Sequence, residues 1–298
     1  MESLKACPIC KSEYLMEYIK CKDHLLSGEI FKIDQCKNCG LLFTNPRPEK
    51  YEINKYYQTS EYISHSNTTK GIVNKIYHQV RKINHRKKER IIRRESLQNK
   101  LLDVGCGSGE FLDFMKKKGW NVCGVEPDEK TRIYATNHFK LNIYDEEQIN
   151  NFYEKEFDII SMWHVLEHVF LPDERMMQLK KILKDDGTLL IAVPNSESAD
   201  ALFYKEFWAG YDVPRHLYHF NKESAYFLFK KTGFKCVQIY PMKFDAYYVS
   251  FLSEKYRASN QKLLKAFKTG RKSNLMAKKN NNNYSSLIFI LKKEKNDF

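Results

Sequence analysis

No stretch of this 298-residue chain approaches the roughly 20 apolar residues that a membrane-spanning helix requires, so no span is expected. The opening, MESLKACPIC, lacks the apolar core of a secretory signal, and we read the protein as cytoplasmic. Nor are the eight cysteines spread as a disulfide framework would spread them. Four fall into two C-x2-C pairs, Cys7 with Cys10 and Cys36 with Cys39, while Cys21, Cys106, Cys123 and Cys236 are scattered. In a reducing compartment, paired thiols at this spacing read as metal ligands. Two glycine signatures are also incomplete. A dinucleotide turn wants G-x-G-x-x-G, but Glu110 stands where the third glycine belongs. A phosphate loop wants G-x-x-x-x-G-K-[ST], and no lysine is in place.

What is present begins with charge. The net charge of +13 is unevenly placed. Residues 1–69 are neutral overall, 70–95 carry +8, 96–253 carry −4 and 254–298 carry +9. Two basic segments thus flank an acidic centre. Nucleic-acid chemistry would want its basic face beside the reactive groups, so this distribution argues against RNA as the partner without excluding it.

Three segments follow. Residues 1–45 read as a module stapled by Zn(II) on Cys7, Cys10, Cys36 and Cys39, since four thiolates satisfy a tetrahedral ion and leave no open position for catalysis. So short a segment has too little core to fold unaided. Residues 46–97 form a connector and a basic helix. The connector's Tyr56 and Tyr57 either pack on the next domain, the reading we favour, or reach a substrate pocket. In 70–95 the residues Ile72, Ile76, Val80, Ile83 and Ile91 keep one apolar stripe, predicting a helix that covers the next domain with its charges in water. Residues 98–298 alternate apolar runs with helical patterns, as LLDVG, NVCGVEP, FDIISMWHV and TLLIAVPN do with EFLDFMKKKG, DEKTRIYATNHF and DERMMQLKKILKDDG. This predicts a parallel sheet covered on both faces. Asn221 is expected to cap the helix KESAYFLFKKTG. The lysine- and asparagine-rich stretch 259–284 is expected to be mobile or poorly packed, before a last strand, SSLIFILKK.

The glycine turn itself is LLDVGCGSGEFL, residues 101–112. Asp103 would repel a pyrophosphate, but it can hold the cationic amino group of a methionine moiety. Glycines let the backbone approach such a ligand closely. Glu126, ending the second strand, can accept both ribose hydroxyls. With GVEPD, FDIISMWHVLEHV and LKDDGTLLIAVPN beside it, the turn resembles that of the class I S-adenosylmethionine-dependent methyltransferases. The resemblance covers roughly 98–240 and the last strand. It implies a Rossmann-like seven-stranded α/β sheet whose last strand is antiparallel, between the fifth and sixth. It also implies cofactor contacts from Asp103, Gly105, Gly107, Glu126, Trp163 and His164, with Asp145 near the adenine.

The cysteine module, the CGLLFTNPRP connector and the paired tyrosines are similar to the N-terminal part of bacterial sugar C-methyltransferases, although their large C-terminal domain has no counterpart here. That likeness implies methyl transfer to oxygen or carbon of a small molecule such as a sugar, lipid-linked glycan or related metabolite, and a histidine base after the fifth strand, a role falling on His216 and then His219, three residues apart in FWAGYDVPRHLYHF. His164 and His168, with Glu167, would share a helical face able to hold a divalent ion; we favour a plain helix start supporting the sheet edge.

Overall fold

The computed structural model describes residues 1–57, 72–96, 98–258 and 262–294. Its centre is a seven-stranded sheet of β4 (Lys100–Val104), β5 (Asn121–Val125), β6 (Asn142–Tyr144), β7 (Phe157–Trp163), β8 (Leu183–Pro194), β10 (Phe234–Pro241) and β11 (Ser286–Lys293). The order is β10-β11-β8-β7-β4-β5-β6. All neighbours run parallel except β11, which is antiparallel to both β8 and β10, as the resemblance implies. The middle strands are apolar without alternation because helices cover both faces. Ile159, Ile160, Met162, Leu189, Leu190 and Ile191 are all fully buried. Burying each such side chain contributes roughly 1.5–3 kcal/mol.

The helices of this domain are α2 (Glu110–Lys116), α3 (Glu129–Phe139), α4 (Pro172–Ile182), α5 (Ala199–Tyr204), α6 (Lys222–Lys231), α7 (Asp245–Tyr256) and α8 (Lys262–Lys279). Asn221 caps α6 as expected, its side chain accepting from Ser224 N at 2.8 Å. Helix α4 ends earlier than its polar continuation suggested. Leu183 turns inward, fully buried, and the chain enters β8 there.

The stretch 259–284 departs further from expectation. Most of it is helix α8, packed on α7 and α5, with Ala266, Gly270, Ser273 and Ala277 buried. These small residues recur every three or four positions, and a Cβ on Gly270 would lie 2.9 Å from Ala246 O. The packing surface is flat and small, so no apolar periodicity announced it.

The basic segment forms a helix we label α1 (Ile72–Glu95); residues 70 and 71, and the side chains of 72–80, lie outside the described set. Its inward face keeps Ile91 of the isoleucine stripe, half-buried against the core, but not Ile83. Ile83 is exposed, while Ile92 is fully buried and His85 lies against Phe111 and Phe114.

The N-terminal module is a second sheet, in which β1 (Leu15–Lys22), β2 (Ile30–Cys36) and β3 (Leu42–Thr44) run antiparallel. Its fourth strand is β9 (Tyr218–His219), which comes from the chain after β8 and pairs with β3. Arg215, 1% exposed, reinforces the join by donating to Asp23, Asp212 and Tyr56 O. Breaking such a buried network at one partner costs about 3–5 kcal/mol. Among the described residues no helix is long and apolar enough to cross a membrane.

Candidate functional site

The site grows from the end of β4. Gly105, Gly107 and Gly109 have φ of 71°, 53° and 78°, the left-handed region that glycine enters without strain. A Cβ on Gly105 would meet Val165 Cγ2 at 2.4 Å, whereas one on Gly107 would meet none of the described residues within 4 Å. The turn is therefore packed on one side and open on the other.

Around the open side the structure gathers the residues expected there. Asp103 is buried, accepts from Ser161 Oγ at 2.6 Å, and burial pushes its carboxyl up to about 6. Glu126 accepts from Gly107 N at 2.9 Å and Asp128 N at 3.1 Å. Burial raises its pKa too, against those two backbone hydrogen bonds. Among the described residues Trp163 Nε1 is a buried donor without a hydrogen-bond partner. An open glycine turn, two carboxylates and an orphaned donor suit a ligand that brings a cation, hydroxyls and an acceptor atom, as S-adenosylmethionine would. Asp145 lies at the exposed start of a short 3-10 helix, where its Oδ1 accepts from Glu147 N at 3.0 Å.

Lys88 joins this group from α1, which the sequence had assigned a solvated charged face. Its ammonium lies 4.1 Å from the centre of the Trp163 ring, and burial lowers its pKa to about 8, with Asp103 and Asp245 pulling the other way.

His164, directly after β7, has φ 58°, an uncommon conformation for a side chain of its size. The helical face shared with His168 does not form, because only Leu166–His168 make a 3-10 turn. Instead the His164 ring bridges Asp245 Oδ2 at 3.1 Å and Glu167 Oε1 at 3.3 Å. Burial alone would lower its pKa, but hydrogen bonds to the two carboxylates carry it up to about 10.

Beyond it lie Glu167, His168 and His216, whose ligand atoms all fall within 4.8 Å of one another. His168 Nδ1 lies 3.0 Å from both Arg215 O and Tyr57 Oη, and His216 Nδ1 lies 2.9 Å from Gly210 O. A carbonyl only accepts, so each Nδ1 carries a proton. Glu167 is fully buried, and its Oε1 lies 3.3 Å from His164 Nδ1. Burial raises its pKa, yet His164 beside it holds the carboxyl below its usual range. Burial, and then the nearby His216, push His168 down to about 4. Such a cluster can take a proton from a bound hydroxyl or hold a divalent ion.

His219 does not share a helical face with His216, because it sits in β9. Its Nε2 lies 3.2 Å from Thr44 Oγ1, which donates to His216 O. Burial pushes its pKa well below the ordinary histidine range. Tyr57, Lys88, Asp212 and Asp245 reach the site from segments far apart in the chain. Only Tyr57 had a sequence signal, its place in the tyrosine-rich connector.

In the N-terminal module the four cysteine sulfurs also gather within 4.8 Å. Cys7 and Cys39 are 3.6 Å apart, and Cys10 and Cys36 are 3.4 Å apart. A tetrahedral zinc with Zn–S bonds of about 2.3 Å sets its sulfurs about 3.8 Å apart, so the donors fit.

Comparison with known proteins identifies the fold and the family. A ubiquinone biosynthesis O-methyltransferase of Glaesserella parasuis is 34% identical over 107 residues, covering 32% of this chain and 45% of that protein. One of Pelagibacter ubique is 31% identical over 111 residues, covering 35% and 45%. The chain thus spans about half the length of the curated relatives it matches. A crystal structure of a SAM-dependent methyltransferase from Archaeoglobus fulgidus superposes with a TM-score of 0.50 at 21% identity, covering 72% of this chain and 94% of that one, and shows the shared fold. A family model described as a methyltransferase domain matches residues 76–239. That is more than half of the chain, and it contains the glycine turn, Glu126 and the histidine cluster: the chain belongs to the methyltransferase-domain family, on the fold of the S-adenosylmethionine-dependent enzymes.

Proposed function

We propose that this protein transfers the methyl group of S-adenosylmethionine to an oxygen of a small molecule, with His216 as the base that deprotonates the acceptor. The observation that carries this reading is the His216 imidazole, its Nδ1 bonded to Gly210 O, its Nε2 4.0 Å from Asp212 Oδ2 and its ring centre 4.6 Å from that of His168. Val165, which packs on the cofactor turn, is two residues from Glu167, so the two halves of the site share one loop. The sulfonium supplies an activated methyl group. The chain's residues then align the acceptor and accept its proton. His216 is the better placed of the two candidate histidines, since His219 is buried against Thr44. An oxygen acceptor agrees with the quinone O-methyltransferase names among the relatives. A sugar or lipid-linked glycan hydroxyl meets the same chemistry.

Glu167 favours a second reading of the same cluster. A fully buried carboxylate whose ligand atom lies within 4.8 Å of those of His168 and His216 suits a divalent ion that would itself acidify the hydroxyl. The four-cysteine group is, in this proposal, a structural zinc centre.

The test is label transfer from methyl-tritiated S-adenosylmethionine into cell extract split into small-molecule, lipid and RNA fractions. Nuclease-resistant label in the first two is expected. His216→Asn should slow transfer by about 10²–10⁴-fold while cofactor affinity holds. Nuclease-sensitive label would replace this reading with RNA methylation. Activity abolished by chelator and restored by Mg²⁺ or Mn²⁺ would favour the metal over the free base.

A further inference from the structure

We propose that α8, together with the exposed side chains of α5 beside it, docks the protein onto an anionic lipid surface. Helix α8 carries seven basic residues and no acidic one. Its buried stripe consists only of Ala266, Gly270, Ser273 and Ala277, so every large apolar side chain on it is left outside. Leu263, Leu264 and Phe267 are 61–68% exposed, and Leu275 and Met276 are exposed as well. At about 100° per residue, Leu264 and Leu275 fall opposite the buried stripe, among Lys268, Arg271, Lys272 and Lys279. Helix α5 packs against α8 and adds exposed Leu202 and Phe203.

A helix anchored by small residues could present any polar side chains to water, and contiguous exposed apolar side chains mark a surface that something covers. The charge chooses the occupant. A second copy would bring seven like charges to the same face, which repels. A nucleic acid would take the lysines but leave the leucines in water. A bilayer of anionic lipid satisfies both sets, with leucine and phenylalanine entering the acyl boundary and lysine heads staying among the phosphates.

The experiment is co-sedimentation of the full chain with vesicles of phosphatidylcholine alone, or with about a third phosphatidylglycerol, the anionic surface that attracts basic segments. Binding to the anionic vesicles is expected to be at least tenfold tighter and to weaken with salt. The triple variant L264S/F267S/L275S should lose it, and K268S/R271S/K272S should weaken it by about a hundredfold. Unchanged thermal midpoints and cofactor affinity would show that both variants fold. L264S alone, altering one exposed side chain, must shift binding the same way should the triple variant fail to fold. Equal binding to neutral vesicles, no binding, or binding retained without the apolar side chains would overturn the proposal. So would a dimer that the apolar triple abolishes, or RNA binding that it leaves intact.

Discussion

Replacing Gly105 and Gly107 by alanine, one at a time, separates what the turn does for the fold from what it does for the ligand. Both positions have left-handed φ, which costs alanine roughly 1–2 kcal/mol. At Gly107 that is the whole loss, because no atom of the described residues lies within 4 Å of the new methyl. At Gly105 the methyl would sit 2.4 Å from Val165 Cγ2. Overpacking of that kind adds about 1–3 kcal/mol, for a total of roughly 2–5 kcal/mol. Ligand affinity should run the other way. If the open side of Gly107 is where S-adenosylmethionine lies, its methyl occupies space the cofactor needs. The expected loss is then at least tenfold, about 1.4 kcal/mol. Denaturant unfolding followed by tryptophan fluorescence gives the stabilities, and calorimetric titration with S-adenosylmethionine gives the affinities. A Gly107→Ala protein that binds the cofactor like the wild type would refute the placement of the ligand. Equal destabilisation by the two substitutions would refute the packing argument.

Two further outcomes follow from the site and from the module. The folded state raises the His164 pKa from 6.5 to about 10, so its contribution to stability is complete below pH 6.5 and fades as the pH climbs to about 10. Unfolding free energies measured across that window should fall more steeply for the wild type than for His164→Gln, and parallel curves would mean the bridge to Asp245 and Glu167 carries no such energy. Removing zinc with a strong chelator, or replacing Cys36 by serine, should lower the melting midpoint in step with zinc content from elemental analysis, since so small a sheet depends on its staple; a midpoint indifferent to zinc would contradict the structural role.

The central sheet was legible because its signals are local. Runs such as FDIISMW and TLLIAVP can only be buried strands between helices, and Gly105, Gly107 and Glu126 sit at the strand ends that a parallel sheet brings together. The rest of the site draws on long-range packing. Lys88 resembled any lysine of a basic helix, and only the crossing of α1 over Trp163 sets it beside Asp103. Asp245 stands in no motif, yet it opens α7 against His164. Asp200, fully buried, gathers Trp208, Ser273 and Ser285 from three segments, and a lone aspartate after a strand predicts none of them. Helix α8 stayed hidden because alanine, glycine and serine carry its contact face.

The two-residue strand β9 also dictates an order of assembly. Thr44 meets His219 across 175 positions of chain, so the sheet begun by β1 to β3 stays one strand short until residue 219 has been made. Contacts of such long sequence separation form late, because the loop between them must first be closed. During synthesis the cysteines can gather early, whereas the edge of β3 waits, open, for the later part of the chain. Folding of the N-terminal sheet is therefore completed by the methyltransferase core, and a nascent chain stalled before β9 would expose an unpaired strand edge, the kind of surface that invites aggregation.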